Sequence, residues 1–450
     1  MNAKIKPRDR DAIIQALRAG VVPRLGLPHI QVGRLGEVRE IVRDAERITG
    51  GGSSVRLIIG EYGSGKTFFL NLARAICLEH KLVVAQADLA PDRRLHASGG
   101  QARNLYAELM RNISTRSKPD GGGLSSIVER FIGEAKKEAE NKGTSVDSAI
   151  RSRLAALQEL VSGYDFAEVV SRYWRAFEDG DEHKKAAALR WLRGEYALKT
   201  EAREELGVRS IIDDSSTYDY LKLMSRFVRL AGYDGFVVIL DEMVNLFKLV
   251  SAQARNGNYE QLLRIVNDVL QGSAEHIGFC FGGTPEFLMD TRRGLYSYEA
   301  LRSRLAENSF ARDGAVDFSG PVIRLQSLTR NDMHVLLMNL RQLFFSGEQE
   351  RNLIDDAALE SFLDHCDKKI GQAYFRTPRN TIKAFLDLLS ILDQNPSLTW
   401  EHLLGEMVIG QDRAPVIEDI DDAGDSGKSG KDTARTAPAP DDEDLGTFRI

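Results

Sequence analysis

Residues 60–67 read Gly-Glu-Tyr-Gly-Ser-Gly-Lys-Thr, matching the G-x-x-x-x-G-K-[ST] pattern of a phosphate-binding loop at every fixed position. The chemistry open to such a run is narrow. Gly60, Gly63 and Gly65 let backbone approach a ligand that a Cβ would keep away. The run from Gly60 through Glu61, Tyr62 and Ser64 to Phe68 aims successive N–H groups at one small volume, which suits a triphosphate. Lys66 would reach the β- and γ-phosphates, and Thr67 would offer its hydroxyl to Mg2+.

A second set of chemical residues lies far downstream. Tyr233-Asp-Gly-Phe-Val-Val-Ile-Leu-Asp-Glu242 is an apolar run ending in two acids. Asp241 is placed to hold Mg2+ and Glu242 to polarise an attacking water; acids also occur simply as strand ends. Beyond Ile277–Gly282, Thr284 is a polar residue that would sense a γ-phosphate or orient water. Upstream, Gly33-Arg34 opens a helix, either covering an adenine or only starting that helix.

These residues need strands and helices to position them. Val55–Ile59 is a short β-branched strand before the loop, and Phe68, Phe69, Leu72, Ala73 and Ile76 recur at helical spacing after it. Leu82–Asp88, the four to five apolar residues that end in Asp241-Glu242, Ile277–Gly282 and Val322–Gln326 read as four further strands. Helices are expected over Pro7–Ala19, Leu35–Ile48, Tyr259–Gln271, Asn331–Phe345, Asp355–Lys369 and Pro378–Leu392, the last capped by Thr377. From Ala102 to Leu230 the pattern is almost wholly helical, broken at Gly121–Gly123 and Gly143–Ser145. The expected organisation is a first half of the core over 1–101, a helical insertion over 102–230, a second half over 231–328, a helical lid over 329–410 and a disordered acidic tail over 411–450.

With 450 residues, 42% hydrophobic and 28% charged, the chain has the composition of a soluble globular protein of two or three domains. No apolar run reaches membrane-spanning length, and residues 1–7 lack a signal-peptide core, so no membrane association and a cytoplasmic location are expected. Cys77, Cys280 and Cys366 are too dispersed for a disulfide framework or zinc cluster. Residues 411–450 carry eleven acids against five bases, a difference of −6 that equals the net charge of the whole chain. The remaining body is therefore near neutral, which neither demands nor excludes nucleic acid.

Five strands alternating with helices, the loop after the first, Asp-Glu after the third and a polar Thr after the fourth resemble an AAA+ ATPase, an α/β P-loop fold with a five-stranded parallel sheet and a C-terminal helical lid. The branch of origin-recognition initiators and transposition regulators is the most similar. Within it, Gly60–Leu70, Gly282-Gly-Thr-Pro-Glu-Phe287, Arg293–Tyr296 and Ala300–Leu305 look like the ATP-binding proteins of BREX-type phage-exclusion systems. The resemblance implies ATP and Mg2+ as cofactors. It also implies an adenine-side role for Gly33-Arg34, sensor roles for Thr284 and Arg379, and an arginine finger at Arg304, with Arg302 next in line. A homo-oligomer, DNA and a helicase or methyltransferase partner belong to the same expectation. The alternatives are a transposition- or loader-type regulator and a nucleotide-gated scaffold with little turnover. The helical insertion is longer than in the initiators, and no winged-helix domain fits between Leu392 and the tail.

Overall fold

Successive side chains of a strand point to opposite faces, and the first strand, β1 (Ser53–Ile59), is apolar on both. Val55, Leu57 and Ile59 enter one core and Ile58 another. Such a strand belongs inside a sheet covered on both sides. The computed structural model, which describes residues 5–23, 26–309, 317–345, 353–370 and 378–406, places it there. With β2 (Val83–Asp88), β3 (Phe236–Asp241), β4 (Ile277–Gly283) and β5 (Val322–Arg324) it forms an all-parallel sheet in the order β2-β3-β4-β1-β5. The tail over 411–450 and the Thr377 cap lie outside the described residues.

Helices α1 (Pro7–Arg18), α2 (Leu27–Ile30) and α3 (Leu35–Thr49) precede the sheet, and α4 (Lys66–Glu79) follows β1. The outer face of α3 is solvated, while its inner face and α4 cover Ile58, Val84, Val237, Ile239 and Cys280. Arg56, mid-strand in β1, is buried and anchors α3. Its Nη2 donates to Asp44 Oδ1 at 3.0 Å, its Nε to the other oxygen of the same carboxylate, and its Nη1 to Phe318 O at 2.7 Å.

The opposite face carries α5 (Gln101–Arg111), α6 (Leu124–Lys142), α7 (Val146–Gln158), α8 (Gly163–Glu178), α9 (Glu182–Leu192), α10 (Lys199–Leu206) and α11 (Thr217–Leu230). Their apolar sides and the sheet form one continuous core, in which Phe227 meets Phe131 and Phe166 at centroid distances of 5.2 and 5.3 Å. The short α12 (Val244–Phe247) and long α13 (Ala252–Leu270) connect β3 to β4; α14 (Pro285–Met289) and α15 (Glu299–Arg304) follow β4.

A third core holds α16 (Arg330–Phe344), α17 (Asp356–Ile370), α18 (Pro378–Gln394) and α19 (Trp400–Glu406). A capping box of Thr329 and Asp332 fixes the start of α16. Ile13 and Leu17 of α1 and Ile30 of α2 pack in this core and not against the sheet.

Candidate functional site: a nucleotide cleft

The strands end together, so the residues following β1, β3 and β4 converge. Gly65 is the N-cap of α4 at φ 88°, a left-handed conformation that a side chain would strain, and it turns the loop into the helix N-terminus. Lys66 Nζ donates to Gly60 O and Glu61 O, both at 2.9 Å. Desolvation lowers its pKa, opposed by the charges of Asp241, Glu242, Glu61 and Glu286. Thr67 Oγ1 donates to Asp241 Oδ2 at 2.7 Å, and the Glu242 N–H donates to Asp241 Oδ1 at 2.8 Å. Asp241 is 3% exposed, and these bonds fix its carboxylate.

Gly282 of β4 makes room for that carboxylate, because a Cβ there would overlap Asp241 Oδ1. Glu242 adopts φ 57°, strained for a residue with a side chain. Desolvation raises its pKa, and the charges of Asp241 and Asp88 add to the rise. Asp88 ends β2 opposite Asp241 and is raised by desolvation and by that same neighbour.

A cavity of about 460 Å³ opens over the loop. Tyr62, Gly63, Ser64, Gly65, Lys66, Thr67, Phe68 and Glu242 line one end. The other end is mostly apolar, with Leu17, Val21, Val22, Pro23, Ile30 and Val32 from the N-terminal segment and Leu328, Leu336 and Ile382 from the C-terminal helices. Gln31, Arg34, Pro378 and Arg379 also line the cavity, as do Gly20, Phe69 and Leu72. The polar end matches phosphates in chemistry and the apolar end matches a base. Thr67 Oγ1 and the Asp241 carboxylate are hard oxygen donors side by side, a set suited to Mg2+. Among the described residues no group of three or more His, Cys, Asp or Glu could hold a metal ion, so water and phosphate oxygens would supply its other ligands.

The remaining expected residues fall in several places. Thr284 follows β4 beside the loop, where Gly60 N–H donates to Gly283 O at 3.1 Å; its hydroxyl caps α14 by accepting from Phe287 N at 3.4 Å. Gly33 lies against the Asp332 carboxylate, outside the cavity wall. Arg379 faces Gly20, the ideal Cβ of which would lie 2.7 Å from its Nε. The Arg304 guanidinium is held within its own chain by Asn267 Oδ1 and by Ala300 O, the latter at 2.8 Å. Arg302 is exposed, with a 3.9 Å approach to Glu299. The motifs gave no site role to the base end or to Asp88, and they named Gly282 only within Gly282–Phe287, without the room it leaves for Asp241. A glycine inside an apolar strand run and an acid closing a strand were the available signals for Gly282 and Asp88.

Fold and cleft define an α/β protein of P-loop nucleotide-binding type. A family model described as BREX system ATP-binding protein BrxC/D matches residues 5–408, and the chain belongs to that family. Its role is therefore ATP binding in a BREX defence system. No curated protein matches the chain. Among the described residues no helix is long and apolar enough to cross a membrane.

Proposed function

We propose that the protein hydrolyses the ATP it binds, with Mg2+, as an AAA+ switch or motor. The observation that carries this reading is the carboxyl end of β3, where Asp241 is bonded to Thr67 and Glu242 reaches the cavity wall. A site that only held nucleotide would have no need of Glu242. On this reading Lys66 exchanges the Gly60 and Glu61 carbonyls for phosphate oxygens, trading neutral acceptors for charged ones. Thr67 and Asp241 would hold Mg2+, which would offset negative charge on the phosphates. Glu242 accepts the proton of the attacking water, and its raised pKa makes it a stronger base than an ordinary carboxylate. Thr284 orients that water or senses the γ-phosphate. The C-terminal helices act as a lid, bringing Arg379 to the cavity.

A finger arginine comes from a neighbouring subunit of a homo-oligomer. Arg304 would have to leave Asn267 and Ala300 to serve, whereas Arg302 would give up a 3.9 Å approach to Glu299. DNA and a helicase or methyltransferase are the proposed partners. The test is ATP hydrolysis with and without duplex or single-stranded DNA, with oligomer mass measured in parallel. Mg2+-dependent turnover that responds to DNA, from an assembly larger than one chain, is expected. Bound ATP with no turnover under any of these conditions would leave a nucleotide-gated scaffold. Mixing inactive Lys66→Ala protein with inactive Arg302→Ala or Arg304→Ala protein then identifies the finger, because activity returns only for an arginine that acts across the interface.

A further inference from the structure

The cleft lies between two packed bodies. One is the sheet with its flanking helices. The other consists of α1, α2 and α16–α19 around a shared apolar cluster, and an ion pair from Arg18 Nε to Asp387 Oδ1 at 3.2 Å also joins α1 to α18. The chain crosses between the bodies along residues 31–34 and again along 325–329.

Both crossings meet at Arg34. Its Nη2 donates to Ser64 O in the loop at 2.6 Å and reaches Gln326 O on the second crossing at 3.4 Å. Burial lowers the pKa of this guanidinium, and the charges of Glu37 and Asp332 oppose that, Asp332 being the partner of Thr329 in the capping box of α16. Gly33 and Arg34 sit at φ 62° and φ 56°, so the first crossing passes through two left-handed residues, and for Arg34 that conformation is strained. Arg34 Nε is buried with no acceptor. An unsatisfied buried donor and a left-handed φ each cost free energy, which the bonds from Nη2 to Ser64 O and Gln326 O help to offset.

The loop contact has a direct mechanical meaning. The Ser64 carbonyl and the Gly65 N–H are the two ends of one rigid peptide plane. When that N–H turns to meet a phosphate, the oxygen that Arg34 holds must turn as well. We propose that Arg34 is a positioning residue that ties the loop to both crossings, so that phosphate in the loop shifts the body of α1, α2 and α16–α19 relative to the sheet. This rests on the nucleotide reading of the cleft and adds a route by which occupancy leaves it.

The experiment uses the full chain with dyes on two introduced cysteines, Glu46→Cys on α3 and Glu401→Cys on α19, both at exposed positions. Native Cys77, Cys280 and Cys366 are buried and stay unlabelled. Energy transfer is read with and without ATP and Mg2+, and saturation is checked with a fluorescent ATP analogue. The parent is expected to change its transfer efficiency on saturation, Arg34→Gln to lose most of that change while nucleotide is bound, and Arg34→Lys to fall between them. A folded, saturated Arg34→Gln protein that shifts as the parent does overturns the proposal, as does a parent that binds ATP without shifting. Arg34→Gln that binds no nucleotide at any concentration also counts against it, because Arg34 would then belong to the nucleotide's own contacts. A parent that binds no ATP contradicts the nucleotide reading itself and is recognised by the absence of bound analogue. If Arg34→Gln does not melt cooperatively, Arg34→Lys carries the same comparison.

Discussion

At its phosphate end the cleft is lined by the consecutive residues Tyr62 to Phe68, joined by Glu242 from the end of β3. At its base end it takes Leu17 from α1, Val32 from the first crossing, Leu336 from α16 and Ile382 from α18. The first surface is made by a local backbone path, which requires glycine, lysine and threonine at set spacing. The second is made by packing segments hundreds of residues apart, and any apolar residue of suitable size would serve. On the proposed reading, phosphate binding is written into one short run, whereas base binding depends on two bodies staying assembled.

The contrast is sharpened most by Lys66→Ala. Losing two charge-assisted hydrogen bonds to phosphate should weaken ATP binding about 100-fold, and tripolyphosphate binding as much, by calorimetry. Gly282→Ala should displace the Asp241 carboxylate and lower turnover about 100-fold, because misplacing a catalytic group by about 1 Å has that effect. Its effect on ATP affinity should be smaller. Leu336→Ala acts at the other end and should weaken ATP binding about three- to tenfold through lost apolar contact. Tripolyphosphate binding should stay at the parent value; an equal loss for both ligands would break the division of the cleft into two halves.

The smallest expected effect concerns pH. The folded-state pKa of Glu242 is raised by desolvation and by Asp241 and Asp88, so its ionised form opposes folding. This destabilisation is present above the folded pKa and disappears as pH falls below the ordinary carboxylate value. Glu242→Gln should therefore raise the melting temperature of the nucleotide-free protein by about 1 °C at pH 7 and leave it unchanged near pH 4.

Legibility in the sequence followed the same division. The five strands, the loop and the Asp-Glu pair were readable because each is a short run with its own period or fixed spacing. Val322–Gln326 shortened to Val322–Arg324, and the helix expected from Tyr259 begins at Ala252, where Ser251 caps a polar first turn that carries no apolar stripe. The turn-rich Gly20–Pro28 segment gave no hint of α2 or of the cavity wall, since Val21, Val22 and Pro23 meet Leu336 and Ile382 of α16 and α18 only in the folded chain. Arg56 sits in a strand that reads as apolar, and the buried Asp44 and Glu40 of α3, with the Phe318 carbonyl, explain it. For Arg34 the resemblance implies an adenine-side role, with a bare helix start as the alternative; its bond to the loop carbonyl of Ser64 is a contact that no spacing rule encodes.

The central claim is that Glu242 activates water in a site that binds ATP without its help. One measurement addresses it directly: bound ATP and released phosphate followed in the same sample for the parent and for Glu242→Gln. The account predicts binding within about threefold of the parent and a turnover lower by about 10² to 10⁴. Turnover by Glu242→Gln at the parent rate would contradict it.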